Sequence, residues 1–310
     1  EDNTVVRYQR LGTLADSTAI TETVPALIDL AGNVVVTTSS TFTTAAGPDF
    51  IRPTVTGSIP NASIDIATNA VIAWAFDEAI DPVSVTPTGV YLYDNQDRII
   101  IPTTISLSAD NKRIDIVPST ALLIGRRYTY YAYSLRDLSG NSLSNTNRYF
   151  TTAFSADTTA PQVLNATVSD GQVDVPTNVR MAVRFDEPLS ELTATQVSLV
   201  DAGSTVVAYS VTLNSDRTLL TIVPTQILMA NAHYTLSVDG VEDLSGNLLA
   251  VPLVVNFTTG TTADLLTGTV TSWSITSGAV DVALNALLEV TLSERVDPSS
   301  INESSFYLYR

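Results

Sequence analysis

Cysteine is absent from the 310 residues. That excludes disulfide staples, thiolate nucleophiles and thiolate zinc sites. Lysine occurs once, at Lys112, so a lysine–asparagine isopeptide staple in every domain is excluded too. Long apolar runs are also missing. No stretch approaches the roughly 20 consecutive apolar residues of a membrane-spanning helix. Basic residues are scarce: the formal net charge is −17. A chain with that balance lacks the basic face that displaces counterions from nucleic acid, and an anionic membrane surface repels it. Glu1-Asp2-Asn3-Thr4 is polar and acidic, so no secretory leader is visible at that end. A leader already removed and a window deep inside a longer chain both fit this. The missing cysteine fixes no compartment.

What is present is a core-forming composition with internal repetition. Hydrophobic residues make up 45% of the chain, enough for packed domains. Asp29-Leu30-Ala31-Gly32-Asn33 returns as Asp137-Leu138-Ser139-Gly140-Asn141 and again as Asp243-Leu244-Ser245-Gly246-Asn247. A Phe-Thr-Thr follows each copy, led by Phe42, Phe150 and Phe257. Phe76-Asp77-Glu78 returns as Phe185-Asp186-Glu187 and, altered, as Leu292-Ser293-Glu294. Ile64-Asp65-Ile66 matches Val173-Asp174-Val175 and Val280-Asp281-Val282. The spacing is 106 to 109 residues throughout. Several motifs in fixed order at one period define a tandem array. Its frame is a C-terminal half-repeat over 1–47, complete repeats over 48–156 and 157–260, and an N-terminal half-repeat over 261–310. Half-repeats at both ends also make end-to-end complementation between copies a candidate mode of self-association.

Within a repeat the apolar period is two. Val179, Met181, Val183 and Phe185 alternate with Arg180, Ala182 and Arg184. The corresponding inward sets are Ala70, Ile72, Trp74 and Phe76, and Ala286, Leu288, Val290 and Leu292. Such alternation is a strand with one buried face. About seven short strands punctuated by Gly, Asn, Asp and Pro predict a β-sandwich for each repeat. Trp74, Phe76, Tyr128, Val183, Phe185 and Tyr234 are expected in the cores, Arg180 and Arg184 on the surface. Tyr128 and Tyr234 resemble the tyrosine that braces a sandwich corner. Gln226–Ala232 reads as a single helical turn between sheets.

These motifs carry a resemblance that covers essentially the whole chain. Asp157-Thr158-Thr159-Ala160-Pro161, Phe185-Asp186-Glu187-Pro188, Ile222-Val223-Pro224, Tyr234-Thr235-Leu236 and the Asp-Leu-Ser-Gly-Asn turn resemble the bacterial Ig-like repeats of S-layer proteins and large surface adhesins. The resemblance implies an all-β chain of tandem immunoglobulin-like sandwiches, extracellular and non-catalytic, serving as structural or adhesive modules of an S-layer, filament or stalk. Its expected partners are neighbouring repeats or further copies, and cell-surface glycans. The alternative is a set of accessory modules in a secreted polysaccharide-active enzyme.

Catalytic groups are poorly supplied. His233 has no counterpart in the preceding repeat, where Arg127 stands, and nothing places a serine and an acid around it as a triad requires. Asp77-Glu78 and Asp186-Glu187 are paired carboxylates of glycosidase type, but their recurrence along an array favours a structural role. A glycan site would want an exposed aromatic platform. Tyr130, Tyr131 and Tyr133 form the tyrosine cluster, with Tyr131 and Tyr133 facing opposite to Tyr128 and Tyr130. Strand parity adds a sharper expectation. It brings the linker, the second-to-third loop, the fourth-to-fifth turn and the sixth-to-seventh turn to one pole. That pole gathers Asp49, Asp77, Glu78, Asp110 and Asp137 in one repeat, and Asp157, Asp186, Glu187, Asp216 and Asp243 in the next. Five carboxylates repel one another unless screened or bridged. A calcium ion stiffening each junction and a solvated acidic pole without metal are the two readings.

Overall fold

The structure is a computed structural model that describes residues 12–24, 27–301, 305, 307 and 308. Its strands run β1 (Ala19–Val24), β2 (Thr38–Thr43), β3 (Val55–Gly57), β4 (Ser63–Ile66), β5 (Ala73–Phe76), β6 (Val90–Asp94), β7 (Ile99–Ile101), β8 (Thr103–Leu107), β9 (Arg113–Pro118), β10 (Arg127–Ala132) and β11 (Thr146–Thr152). They continue with β12 (Val163–Ala166), β13 (Gln172–Val175), β14 (Met181–Phe185), β15 (Val197–Asp201), β16 (Tyr209–Leu213), β17 (Leu219–Pro224), β18 (His233–Val238), β19 (Leu253–Thr259), β20 (Val270–Trp273) and β21 (Val290–Leu292). The helical segments among the described residues are two 3-10 turns, Pro82–Ser84 and Pro298–Ser300. Each is capped by an aspartate, Asp81 or Asp297, and opens on proline, the sequence signature of a helical start.

Each complete repeat is a sandwich of two sheets. The first pairs β3-β5-β9-β8 against β4-β11-β10-β6-β7, the second β12-β14-β17-β16 against β13-β19-β18-β15. Two clusters of buried side chains fill them, one per repeat, and Trp74, Tyr128, Tyr130, Phe150 and Phe185 are among the largest. All six residues expected in the cores are buried. Large aromatic side chains stabilise such a core by about 1.5–3 kcal/mol each.

The first strand of each sandwich switches sheets. β3 pairs antiparallel with β5, whereas β4 pairs parallel with β11 and slips register between Phe150 and Thr152. β13 repeats this on β19. At these slips sit the left-handed residues Asp65 and Asp174, at φ 57° and 55°, and Asp281 takes the same conformation at φ 55° outside any strand. Aspartate tolerates that region better than most L residues, which gives the recurring Ile-Asp-Ile its reason.

The hydroxyls of Tyr128 and Tyr234 accept the backbone N–H groups of Leu123 and Met229 at 3.0 and 2.9 Å, bracing the corner as expected. Gln226–Ala232 is not helical. Its backbone groups are taken by tertiary partners: Tyr234 holds the Met229 N–H and the Thr259 hydroxyl donates to the Met229 carbonyl. Arg180 is exposed, but Arg184 is half-buried because its guanidinium donates to the Ser299 carbonyl of the following repeat.

The two terminal units are hairpins, β1-β2 and β20-β21. Their core positions stay open: Phe42 is 42% exposed where Phe150 and Phe257 are 0% and 2%.

Candidate metal centre at the domain junctions

The Asp-Leu-x-Gly-Asn turn is built first from its own backbone. Asp137 Oδ1 accepts the N–H groups of Ser139 and Asn141, both at 2.8 Å, and its Oδ2 accepts the Asn141 amide, also at 2.8 Å. Gly140 takes φ 92°, a conformation glycine adopts freely. Asp243 repeats the pattern with Ser245 and Asn247, and Asp29 with Ala31 and Asn33. The turn residue is thereby locked in place, with Asp137 and Asp243 almost fully buried.

The linker arrives over this turn. The Asn141 amide also donates to the Asp49 carbonyl, and the Asn247 amide to the Asp157 carbonyl, both at 3.4 Å. The loop after the second strand brings Glu78 in the first sandwich and Glu187 in the second. The result is two copies of one constellation. Carboxylate oxygens of Asp49, Glu78 and Asp137 lie within 4.8 Å of one another, as do those of Asp157, Glu187 and Asp243.

Asp77, Asp110, Asp186 and Asp216 reach the same pole but aim elsewhere. Asp77 accepts the Thr54 N–H at 2.7 Å and Asp186 the Gln162 N–H at 2.7 Å, each pinning the first strand to the loop. Asp110 closes its own turn with Ser108 and Lys112, and Asp216 receives the Ser215 hydroxyl. Of each expected five carboxylates, three converge.

Crowding like charges in a half-buried site disfavours ionisation. Burial comes first, then the charges of Asp243, Asp157 and Asp186, and together they push Glu187 up to about 7. Glu78 is raised by burial and by Asp137, Asp49 and Asp77, with Lys112 opposing. Three carboxylates at one point can share a proton, or hold a hard divalent cation by supplying half of the six to eight oxygens that calcium takes. Thiolate or imidazole metals find no partner here.

Two successive linkers, at Asp157 and at Asp264, carry the same mechanical bracket, and the Asp157 junction combines it with a triad. Asn69 brackets the backbone of Asp157, its amide donating to that residue's carbonyl at 2.6 Å and its oxygen accepting that residue's N–H at 2.8 Å. Asn178 does the same to Asp264 at 2.7 and 2.9 Å. Between the sandwiches, Val71 N–H donates to the Leu244 carbonyl at 2.9 Å, and the Leu244 side chain packs on the first core. Arg217, 4% exposed, reaches across to the Ser58 carbonyl at 3.0 Å and pairs with Glu191 at 3.1 Å. Leu244 and Arg217 were not singled out in the sequence. Leu138 at 66% and Leu30 at 100% exposure show that the motif leucine is a docking residue rather than a turn residue.

The other sequence candidates lie apart. His233 is exposed, and its Nδ1 lies 2.8 Å from the Thr258 hydroxyl.

Comparison with known proteins places these features in context. The family model described as a bacterial Ig-like domain matches residues 49–155 and 157–259. No curated protein matches the chain. Solved structures resemble it only distantly. The N-terminal part of the bacterial S-layer protein SbsC shares 12% identity over 67% of this chain and 44% of that one, with a TM-score of 0.27. A chimeric titin Z1Z2 shares 14% identity over 69% of this chain and 98% of that one, also with a TM-score of 0.27. The chain spans less than half of that S-layer structure, and likenesses this distant decide nothing about function.

Proposed function

Since the chain belongs to the bacterial Ig-like domain family, we propose that it is a structural spacer of an extracellular surface protein, of the kind found in S-layers, filaments and adhesin stalks, and that it performs no catalysis. One observation carries this reading: the same bracket joins successive domains twice, Asn69 on Asp157 and Asn178 on Asp264. A linker residue held at both its N–H and its carbonyl transmits orientation from one sandwich to the next. The docked Leu244 and buried Arg217 add apolar and polar contact to the same joint. In this reading, length and direction are the product of the molecule.

The acidic triads serve the same end. In our reading they seat calcium, which screens the carboxylates and ties linker, loop and turn into one unit. The repetition of the three positions, with matching closeness, supports this.

The decisive experiment combines small-angle scattering on the chain with labelling of intact producing cells by antibodies raised against it. The reading expects an extended particle with a fixed angle between the complete sandwiches, and label on the cell surface. A broad distribution of interdomain angles, or label confined to the cell interior, would overturn it.

A further inference from the structure

The outer face of the five-stranded sheet in the first sandwich carries a group of side chains that the spacer role does not need. Tyr91 and Tyr93 come from β6, Tyr131 and Tyr133 from β10 and its end, Tyr149 from β11. Tyr91 and Tyr131 are register partners and stack, with ring centroids 4.5 Å apart and planes at 17°. Tyr133 meets Tyr131 edge-on at 5.1 Å, and the Asn147 amide donates to the Tyr133 hydroxyl at 3.1 Å. Tyr93 and Tyr149 flank Thr129 from either side, and Arg127 lies over the Tyr149 ring at 4.6 Å. Strand alternation points Thr129 outward, yet it is only 5% exposed, because its neighbours lean over it. All five tyrosines are themselves half-buried. Together with Thr129 they make an aromatic cover on this face of the sheet.

The second sandwich shows that the fold does not require this cover. Its same register pairs are Ser198 with Ser237 and Val200 with Thr235, and Asp239 and Asn256 stand where Tyr133 and Tyr149 stand in the first. Five tyrosines occupy positions that the second sandwich fills with smaller, non-aromatic residues.

Size and charge narrow the occupant. Three neighbouring strands and four residues along one strand give a patch of about 10 by 13 Å. That is on the order of 130 Å², against roughly 800 Å² per partner in a stable protein interface. A nucleic acid would meet a chain of net charge −17. None of Tyr91, Tyr93, Thr129, Tyr131, Tyr133, Asn147 and Tyr149 is acidic. Tyrosine offers an apolar ring and a hydroxyl together, which matches the C–H face and hydroxyl rim of a pyranose. We infer that this face binds a short stretch of neutral polysaccharide, a few sugar rings long, through the first sandwich alone. The inference rests on no part of the spacer reading, which survives its failure.

The test is retention of the full chain on insoluble neutral polysaccharides: cellulose, chitin, mannan and starch, with polygalacturonate as the acidic control. The wild-type chain is expected to be retained on at least one neutral polymer. The triple variant Tyr91→Ser, Tyr131→Ser, Tyr133→Asp installs the residues of the second sandwich and is expected to lose at least tenfold in affinity. The variant Tyr93→Val, Tyr149→Asn tests the other half of the cover and guards against a folding failure of the first, with melting curves recorded for both. Retention on none of the neutral polymers, retention on polygalacturonate alone, or retention indifferent to both variants overturns the inference. So does a concentration-dependent dimer that the triple variant abolishes, since the face would then be a protein contact.

Discussion

Asn69 and Asp157 are 88 residues apart and share two hydrogen bonds, with the asparagine amide closing on both the N–H and the carbonyl of the aspartate backbone. A side-chain amide is the group that can do this, because it presents a donor and an acceptor on one plane. The same geometry at Asn178 and Asp264 makes it a property of the array rather than of one joint.

Replacing Asn69 with alanine should therefore loosen the joint more than it unfolds either sandwich. Two exposed hydrogen bonds contribute about 1–2 kcal/mol together. Scattering should show a wider spread of interdomain angles while the melting temperature of each sandwich moves little. Unchanged scattering would mean that Leu244 and Arg217 hold the joint without the bracket.

The corner tyrosine gives a second expectation. Tyr234→Phe keeps the ring packed on Phe257 but leaves the Met229 N–H without its acceptor. That part-buried hydrogen bond contributes about 0.5–1.5 kcal/mol. Phe185→Ala, which empties part of the core, should cost about 3–5 kcal/mol. Denaturant unfolding of the second sandwich checks both, and an order reversed from this would put the corner, not the core, in control of stability.

Much of this architecture was legible in the sequence for physical reasons. Period-two alternation at 179–185 fixes which side chains face inward, and parity then fixes which loops share a pole. Three of each five carboxylates converge, and the direction of each one is not readable from spacing. Asp77 and Asp110 turn to nearby N–H groups, and which N–H lies nearest depends on backbone detail that spacing does not encode. Leu244 was invisible as a docking residue because its partner, Val71, belongs to another sandwich. Gln226–Ala232 looked helical because helix formers fill it, and Tyr234 and Thr259 claim its backbone instead. The Asp81-Pro82 and Asp297-Pro298 pairs did carry a helical start signal.

Proton binding at the second triad yields a third expectation. Glu187 sits near 7 in the folded chain and near 4.3 in an unfolded one. Below that lower value both states hold the proton and the group is neutral to stability. As pH rises from there to about 7, the unfolded state loses the proton first, so stability falls. The loss is about 3–4 kcal/mol at most, less where solvent screens the site. In chelator, unfolding free energy should fall across that window, and Glu187→Gln should flatten the profile. A Glu187→Gln profile as steep as wild type would show that other groups set the slope.

Cation binding should reverse that trend. At pH 8 Glu187 is ionised beside Asp157 and Asp243, whose oxygens lie within 4.8 Å. Any cation that binds the folded chain and not the unfolded one stabilises it by mass action, about 2.7 kcal/mol at a hundredfold excess over its dissociation constant. Calcium should therefore raise the melting temperature at pH 8, and less at pH 5, where a proton already occupies Glu187. Asp157→Asn removes one charge yet keeps the backbone groups that Asn69 brackets, so it should lower the calcium response while leaving the joint aligned. Glu78→Gln should do the same at the first triad. Magnesium, which demands tighter geometry, should be the weaker ligand. Melting and scattering curves that coincide in calcium and in chelator at pH 8 would leave the triads as proton-sharing acidic clusters, with the bracket, Leu244 and Arg217 alone setting the direction of the rod.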